Sequence, residues 1–240
     1  MDTIRSARHE DLSTRTAARR AQHEARLKQH FNQTPIHPVR LSYECERALE
    51  PGALFVNEHF TGDLSPIKFG FRQSEGEKVW VGTAGGSLGW GIGAAIGAKL
   101  AQPSTPVVLS IGDGSVMYSA PAFWTMVRYG VPVLTIVWND QNYQTVRGAF
   151  HRLGGAAAKS GKYPGMYLGD PDIDFTLLAK SQGVSGEQVT EPDAVAPAIK
   201  RGMDATERGE PYIVDVRVAR FGGGAESTWH QQFNLAMQRK

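Results

Sequence analysis

A single cysteine, Cys45, stands in this 240-residue chain. The chain therefore cannot form an internal disulfide framework, nor supply a cysteine cluster for zinc or for iron and sulfur. Long apolar runs are also missing. VPVLTIVW, at 131–138, is eight residues long, against the roughly 20 that a membrane-spanning helix needs. The opening MDTIRSARHEDLSTRTAARR has no signal-peptide hydrophobic core. A soluble protein in a reducing cytoplasm is the expectation. Dense basic clusters are absent as well: residues 1–40 carry eight Lys or Arg against four Asp or Glu, interrupted by acids and alanines. That pattern favours a solvated or partner-facing helix over a nucleic-acid arm. No GxGxxG follows the early strands, which argues against a dinucleotide-binding domain.

What the chain does have is glycine, 27 residues of it, with 41% hydrophobic and 21% charged residues, a globular balance with many tight turns. Residues 14–31 favour helix with a thin stripe of Ala18, Ala21, Ala25 and Leu27, and Pro35 and Pro38 then break it. Helix is expected again at 40–49, 88–101, 119–130, 174–183 and 193–209. Strands are expected at 53–58 (ALFVNE), around VWVGT, at 106–111 (PVVLSI), at 131–138 and at 211–218 (PYIVDVRV). Residues 147–168 read as a Gly-rich loop. Unalternating apolar strands separated by helices predict an α/β fold, a doubly wound, mostly parallel sheet with helices on both faces. Three regions follow: a helical extension over 1–36, an α/β domain over 37–220, and a tail or lid over 221–240 that begins with a glycine hinge.

Two turns carry the chemistry. GDGS (112–115) and NDQN (139–142) each follow an apolar strand, and in an open parallel sheet ligands bind at the carboxyl ends of strands. Gly112 and Gly114 allow close backbone approach, and Ser115 opens a helix where a phosphate fits. Asp113 conflicts with a phosphate unless a cation lies between them. Magnesium meets that need, since it takes hard oxygen ligands and joins carboxylates to phosphates. Asp140, 27 residues on, is the second carboxylate, and the Asn142 carbonyl a third oxygen. Either turn alone reads as ordinary turn chemistry; the pair at one sheet edge carries the metal–phosphate reading.

With these residues in place the sequence resembles the thiamine diphosphate enzymes, whose diphosphate and metal motif is a GDG followed after a helix and a strand by two polar residues, usually NN. FVNEHFTGD, GTAGGSLGWGIGAAIGAKLA, WNDQNYQTVR and DIDFTLLAKSQGV resemble segments of the decarboxylase, acetolactate synthase and 2-hydroxyacyl-CoA lyase group. The resemblance spans about residues 38–220. It implies thiamine diphosphate and Mg2+ as cofactors, the metal held by Asp113, Asp140 and Asn142. The diphosphate would meet Gly112, Gly114, Ser115 and Thr61, with Tyr143 beside them. Gly86 would offer its carbonyl to the 4'-amino group, and Leu88 would be the apolar shelf that bends the cofactor. The alternative for Leu88 is plain core packing. Asp140 departs from the usual asparagine, and its extra charge near the diphosphate would either strengthen metal binding or require a nearby cation.

His59, at the end of the FVNE strand, is a candidate for handling protons, with a structural or surface histidine as the alternative. Val146 and Ala149 match positions that face substrate in the decarboxylase branch. The resemblance covers only the diphosphate-binding half of a chain more than twice as long. The other half carries a pyrimidine-binding domain and an activating Glu. This implies a split carbon–carbon lyase, decarboxylase or carboligase acting on 2-oxo acids, 2-hydroxy ketones or 2-hydroxyacyl thioesters. Its partner would be a second subunit in a hetero-oligomer such as a dimer of heterodimers. A non-catalytic assembly or regulatory subunit is the alternative; neither nucleic acid nor membrane is an expected partner.

Overall fold

The computed structural model describes residues 2–48, 52–59, 80–82 and 86–229. Helices α1 (Asp2–His30) and α2 (Pro38–Ala48) precede strands β1 (Leu54–Glu58) and β2 (Trp80–Gly82). Then come α3 (Trp90–Ala101), β3 (Val107–Gly112), α4 (Asp113–Ser119), α5 (Ala122–Arg128) and β4 (Leu134–Asn139). The chain continues through α6 (Gln144–Leu153), α7 (Ala156–Ser160), α8 (Phe175–Lys180), β5 (Ser185–Val189), a 3-10 turn (Pro192–Ala194), α9 (Val195–Glu207) and β6 (Tyr212–Arg217).

The six described strands all pair in parallel, in the order β2-β1-β3-β4-β6-β5. Both faces of the sheet are apolar, which is why the strands show no alternation in sequence. Leu54, Val56, Val107, Leu109, Ile111 and Val137 pack with α3, α4 and α5 on one face. Phe55, Val108, Leu134, Ile136, Trp138 and Val214 pack with α2 and α9 on the other. Chain order reverses between β1 and β3, and that is where a doubly wound sheet opens a crevice. The register brings Glu58, Ile111 and Val137 level, so the turns leaving β1, β3 and β4 share one edge.

Several boundaries differ from expectation, each for a local reason. The first helix starts at Asp2 rather than near residue 14. Its residues 5–15 and 17–22 are exposed, so no packing constraint marks its start. The helix expected at 119–130 is the shorter α5 (Ala122–Arg128), and a separate α4 (Asp113–Ser119) precedes it, beginning inside the GDGS segment; the two part at Ala120 and Pro121, the proline's missing N–H being unable to continue an α-helical ladder. Residues 147–168 are no continuous loop: they hold most of α6 and all of α7, each closed by a left-handed glycine, Gly154 (φ 65) and Gly161 (φ 67). Those glycines are C-caps. Strand β5, SGEQV, was not anticipated, because it is a largely exposed edge strand with only Val189 buried.

The root of α1 is fixed at the sheet. His30 stacks on His37 at 4.1 Å, and Arg40 lies over the Phe31 ring while bonding Glu44 at 2.6 Å and the Phe31 carbonyl at 2.8 Å. Ile36 is fully buried and bridges to Val218. None of the described helices is long and apolar enough to cross a membrane. Cys45 is buried, and burial pushes its thiol far up, away from the reactive thiolate.

Candidate cofactor and metal site

The level ends of β1, β3 and β4 open into a cavity of about 360 Å³. It is lined by Glu58 and His59 after β1, Gly86 and Leu88 before α3, and residues 112–115 after β3. Trp138, Asp140, Asn142, Tyr143, Gln144, Thr145, Val146 and Val218 complete the wall. Every expected site residue inside the described segments therefore gathers here except Ala149, which sits half-buried on α6 outside the lining. Thr61 lies outside the described residues.

Asp113 is 4% exposed. Its carboxylate accepts the amide of Gly114 at 2.7 Å and that of Gln141, across the sheet edge, at 2.7 Å. The second bond exists because Gln141 takes a left-handed conformation, φ 55, which curls the turn after β4 back toward β3. Asp140 is also buried and accepts the Asn142 amide at 3.0 Å. The turn is braced from outside by residues 166–168, through Tyr143 N to Met166 O and Leu168 N to Gln141 O, both 2.8 Å.

Two carboxylates in one dry turn pair are an electrostatic problem. Burial pushes Asp113 up to about 7 against its amide hydrogen bonds. Asp140 is raised well above the carboxylate range by burial and then by the charge of Asp113, opposed by Arg147 and Arg220. A divalent cation removes that repulsion, and two carboxylates opening on a cavity are the hard-oxygen donors that such an ion takes. Among the described residues no group of three or more His, Cys, Asp or Glu converges as a metal cluster, so carbonyl and ligand oxygens must complete any coordination sphere. The Asn142 carbonyl also accepts the Gln144 amide at 2.8 Å, using one lone pair and leaving the other in principle for a metal.

The cradle is shaped by absent side chains. A Cβ on Gly114 would sit 2.5 Å from the Tyr143 ring, so only glycine lets the ring close over the β3 turn. Gly86 holds φ 65 in the left-handed region that glycine tolerates. Leu88 is 37% exposed at the cavity rim, so it is a cavity-wall side chain rather than core.

Reasoning from sequence missed Glu58 and Arg147. Glu58 is 1% exposed and accepts the amides of Gly89 and Gly91 at the start of α3, and the Ser115 hydroxyl. It clamps the Gly86–Leu88 rim to the β3 turn. Burial raises its pKa while these bonds lower it. A Cβ on Gly91 would lie 2.6 Å from Glu58 Oε2, so the glycine in WGIG was the available signal. Trp138, anchored by Nε1 to Ser110 Oγ at 2.8 Å, carries His59 on its face at 3.9 Å.

His59 is 4% exposed, and burial lowers its pKa to about 3, so the ring is neutral near pH 7. The unfolded chain therefore binds the extra proton between about pH 6.5 and 3, and stability falls as pH falls through that window. His59→Phe keeps the stack and removes the titration. Its unfolding free energy, from urea melts at pH 7 and pH 4.5, is expected to drop less on acidification than that of the unaltered protein. Parallel pH profiles for the two proteins would refute this assignment.

A parallel, doubly wound α/β domain with a carboxylate pair and a glycine cradle at its switch point is a domain built for a phosphorylated ligand. Comparison with known proteins gives the family. Residues 63–216 match the model of the thiamine pyrophosphate enzymes' C-terminal TPP binding domain, and the chain belongs to that family. It is 29% identical over 226 residues to acetolactate synthase of Bacillus subtilis, covering 90% of this chain and 38% of that protein. It is 32% identical to mouse (Mus musculus) 2-hydroxyacyl-CoA lyase 2, covering 77% and 28%. The fold superposes on the thiamine diphosphate-dependent 4-hydroxybenzoylformate decarboxylase of Rhodococcus jostii RHA1 with a TM-score of 0.66 and 30% identity, covering 78% of this chain and 33% of that one. The chain thus spans about a third of the length of these relatives.

Proposed function

We propose that this chain is the diphosphate- and magnesium-binding part of a split thiamine diphosphate enzyme, a lyase, decarboxylase or carboligase whose pyrimidine-binding domain and activating Glu reside on a second subunit. The observation that carries this reading is the buried Asp113–Asp140 pair at the edge of a cavity of about 360 Å³, in a chain whose family model is the cofactor-binding domain alone. Asp113, Asp140 and the Asn142 carbonyl would hold Mg2+, with Gly112, Gly114 and Ser115 against the diphosphate. Bound thiamine diphosphate supplies a nucleophilic thiazolium carbon and an electron sink for the bond broken beside a carbonyl.

The chain's own residues supply shape and exclusion of water. Leu88 and Val146 form apolar walls, Glu58 holds the rim, and the neutral His59 ring faces the cavity from the Trp138 stack. The relatives' names, acetolactate synthase and 2-hydroxyacyl-CoA lyase, support 2-oxo acids, 2-hydroxy ketones or 2-hydroxyacyl thioesters as the substrate class. Calorimetric titration of the purified protein with thiamine diphosphate is expected to give saturable binding in Mg2+ and none in EDTA. Absence of binding in both, with any co-purifying chain present, would sink the reading.

A further inference from the structure

The turn after β4 is held from behind by Arg147 on α6, a side chain only 1% exposed. Its Nε donates to Asn142 Oδ1 at 3.0 Å. One terminal nitrogen donates to the Gly223 carbonyl at 2.7 Å and the other to the Phe221 carbonyl at 2.9 Å. A single guanidinium therefore joins the turn to the segment beyond β6. That segment is seated: a Cβ on Gly223 would collide with the His151 ring, and one on Gly224, at φ 75, with the Tyr163 ring. His151 Nδ1 and Tyr163 Oη share a hydrogen bond of 2.7 Å, and Ala225 is buried.

We infer that Arg147 is a positioning residue: it holds Asn142, and with it the metal turn, by tying that turn to a docked strap at 221–224. This rests on the magnesium and thiamine diphosphate reading of the cavity. Strap docking and metal binding are then linked, each strengthening the other by the same factor. Lysine cannot replace arginine here, because an ammonium lacks the planar fork that reaches one side chain and two carbonyls together.

The test uses the full chain carrying Arg147→Met, Arg147→Lys or Gly224→Val, the last displacing the strap without altering Arg147. Calorimetry reads the Mg2+ dependence of thiamine diphosphate binding, and hydrogen exchange reads amide protection over 221–229. Arg147→Met is expected to weaken binding by about 10–100-fold, with Arg147→Lys intermediate. Gly224→Val should weaken it by about tenfold and add little on top of Arg147→Met. Mg2+ with cofactor should raise strap protection in the unaltered chain but not in Arg147→Met.

Binding within about twofold of normal in Arg147→Met, with unchanged strap protection, overturns the inference. Should Arg147→Met not fold, Arg147→Lys and Gly224→Val both binding normally overturn it equally. Asp113→Ala separates the two levels. If it abolishes binding while the Arg147 and Gly224 variants are neutral, only the positioning role falls; if it too is neutral, the metal reading falls.

Discussion

Asp113→Ala is expected to weaken Mg2+-dependent binding of thiamine diphosphate by on the order of 100-fold or more, while leaving the chain folded. The site has two protein carboxylates, and a divalent ion that loses one must share the diphosphate charge with Asp140 alone. Two stability terms oppose each other. The amides of Gly114 and Gln141 lose their acceptor, costing about 1–3 kcal/mol each where they stay dry. Relief of the repulsion with Asp140 offsets part of that cost. Calorimetry for binding and thermal melts with and without Mg2+ separate the effects: the melting temperature of the unaltered protein should rise with Mg2+ and cofactor, and that of the variant should not. Asp140→Asn is the contrast. Asparagine keeps an acceptor for the Asn142 amide and can still offer an oxygen to the metal, so Asp140→Asn should weaken binding far less than Asp113→Ala. Equal loss of binding in both variants would show that the two carboxylates do not differ in role.

The second large effect concerns the proposed split arrangement. Purified alone, the chain is expected to bind cofactor yet turn over 2-oxo acids and 2-hydroxy ketones at background rates. Adding the subunit that carries the activating carboxylate should raise turnover by roughly 100-fold or more, the usual range for a positioned proton-transfer group. Native mass measurement with identification of the co-purifying chain, followed by reconstitution, checks this. Full turnover by the isolated chain would overturn the split arrangement, and Glu58 would then need examination as the only described glutamate lining the cavity.

Sequence made the carboxylate pair legible because each Asp follows a buried, β-branched strand, and parallel strands must end at one edge. Their mutual repulsion and the Gln141 amide crossing to Asp113 were not legible, since both depend on the turn's left-handed residue. Glu58 reads in sequence as one more strand-end acid; its role appears only when α3 begins over it and Gly91 leaves it room. Ala149 matched a substrate-facing position by resemblance, yet it lies one turn beyond Val146 along α6, outside the residues that line the cavity. The region 147–168 looked like loop because its glycines are helix caps, indistinguishable in sequence from turn glycines. Strand β5 was invisible because an exposed edge strand needs no apolar pattern.

By itself, then, the sequence determined the parallel α/β architecture and the placing of the GDGS and NDQN segments at one edge of its sheet. Those are consequences of short-range pattern: strand burial, turn residues and the identity of the ligating atoms. Only the tertiary structure decided which neutral or charged groups stand around that edge. His59 on Trp138, Glu58 under α3, and Arg147 between Asn142 and the strap are separated in sequence by up to 79 residues from their partners, and desolvation and hydrogen-bond geometry act through space, not along the chain.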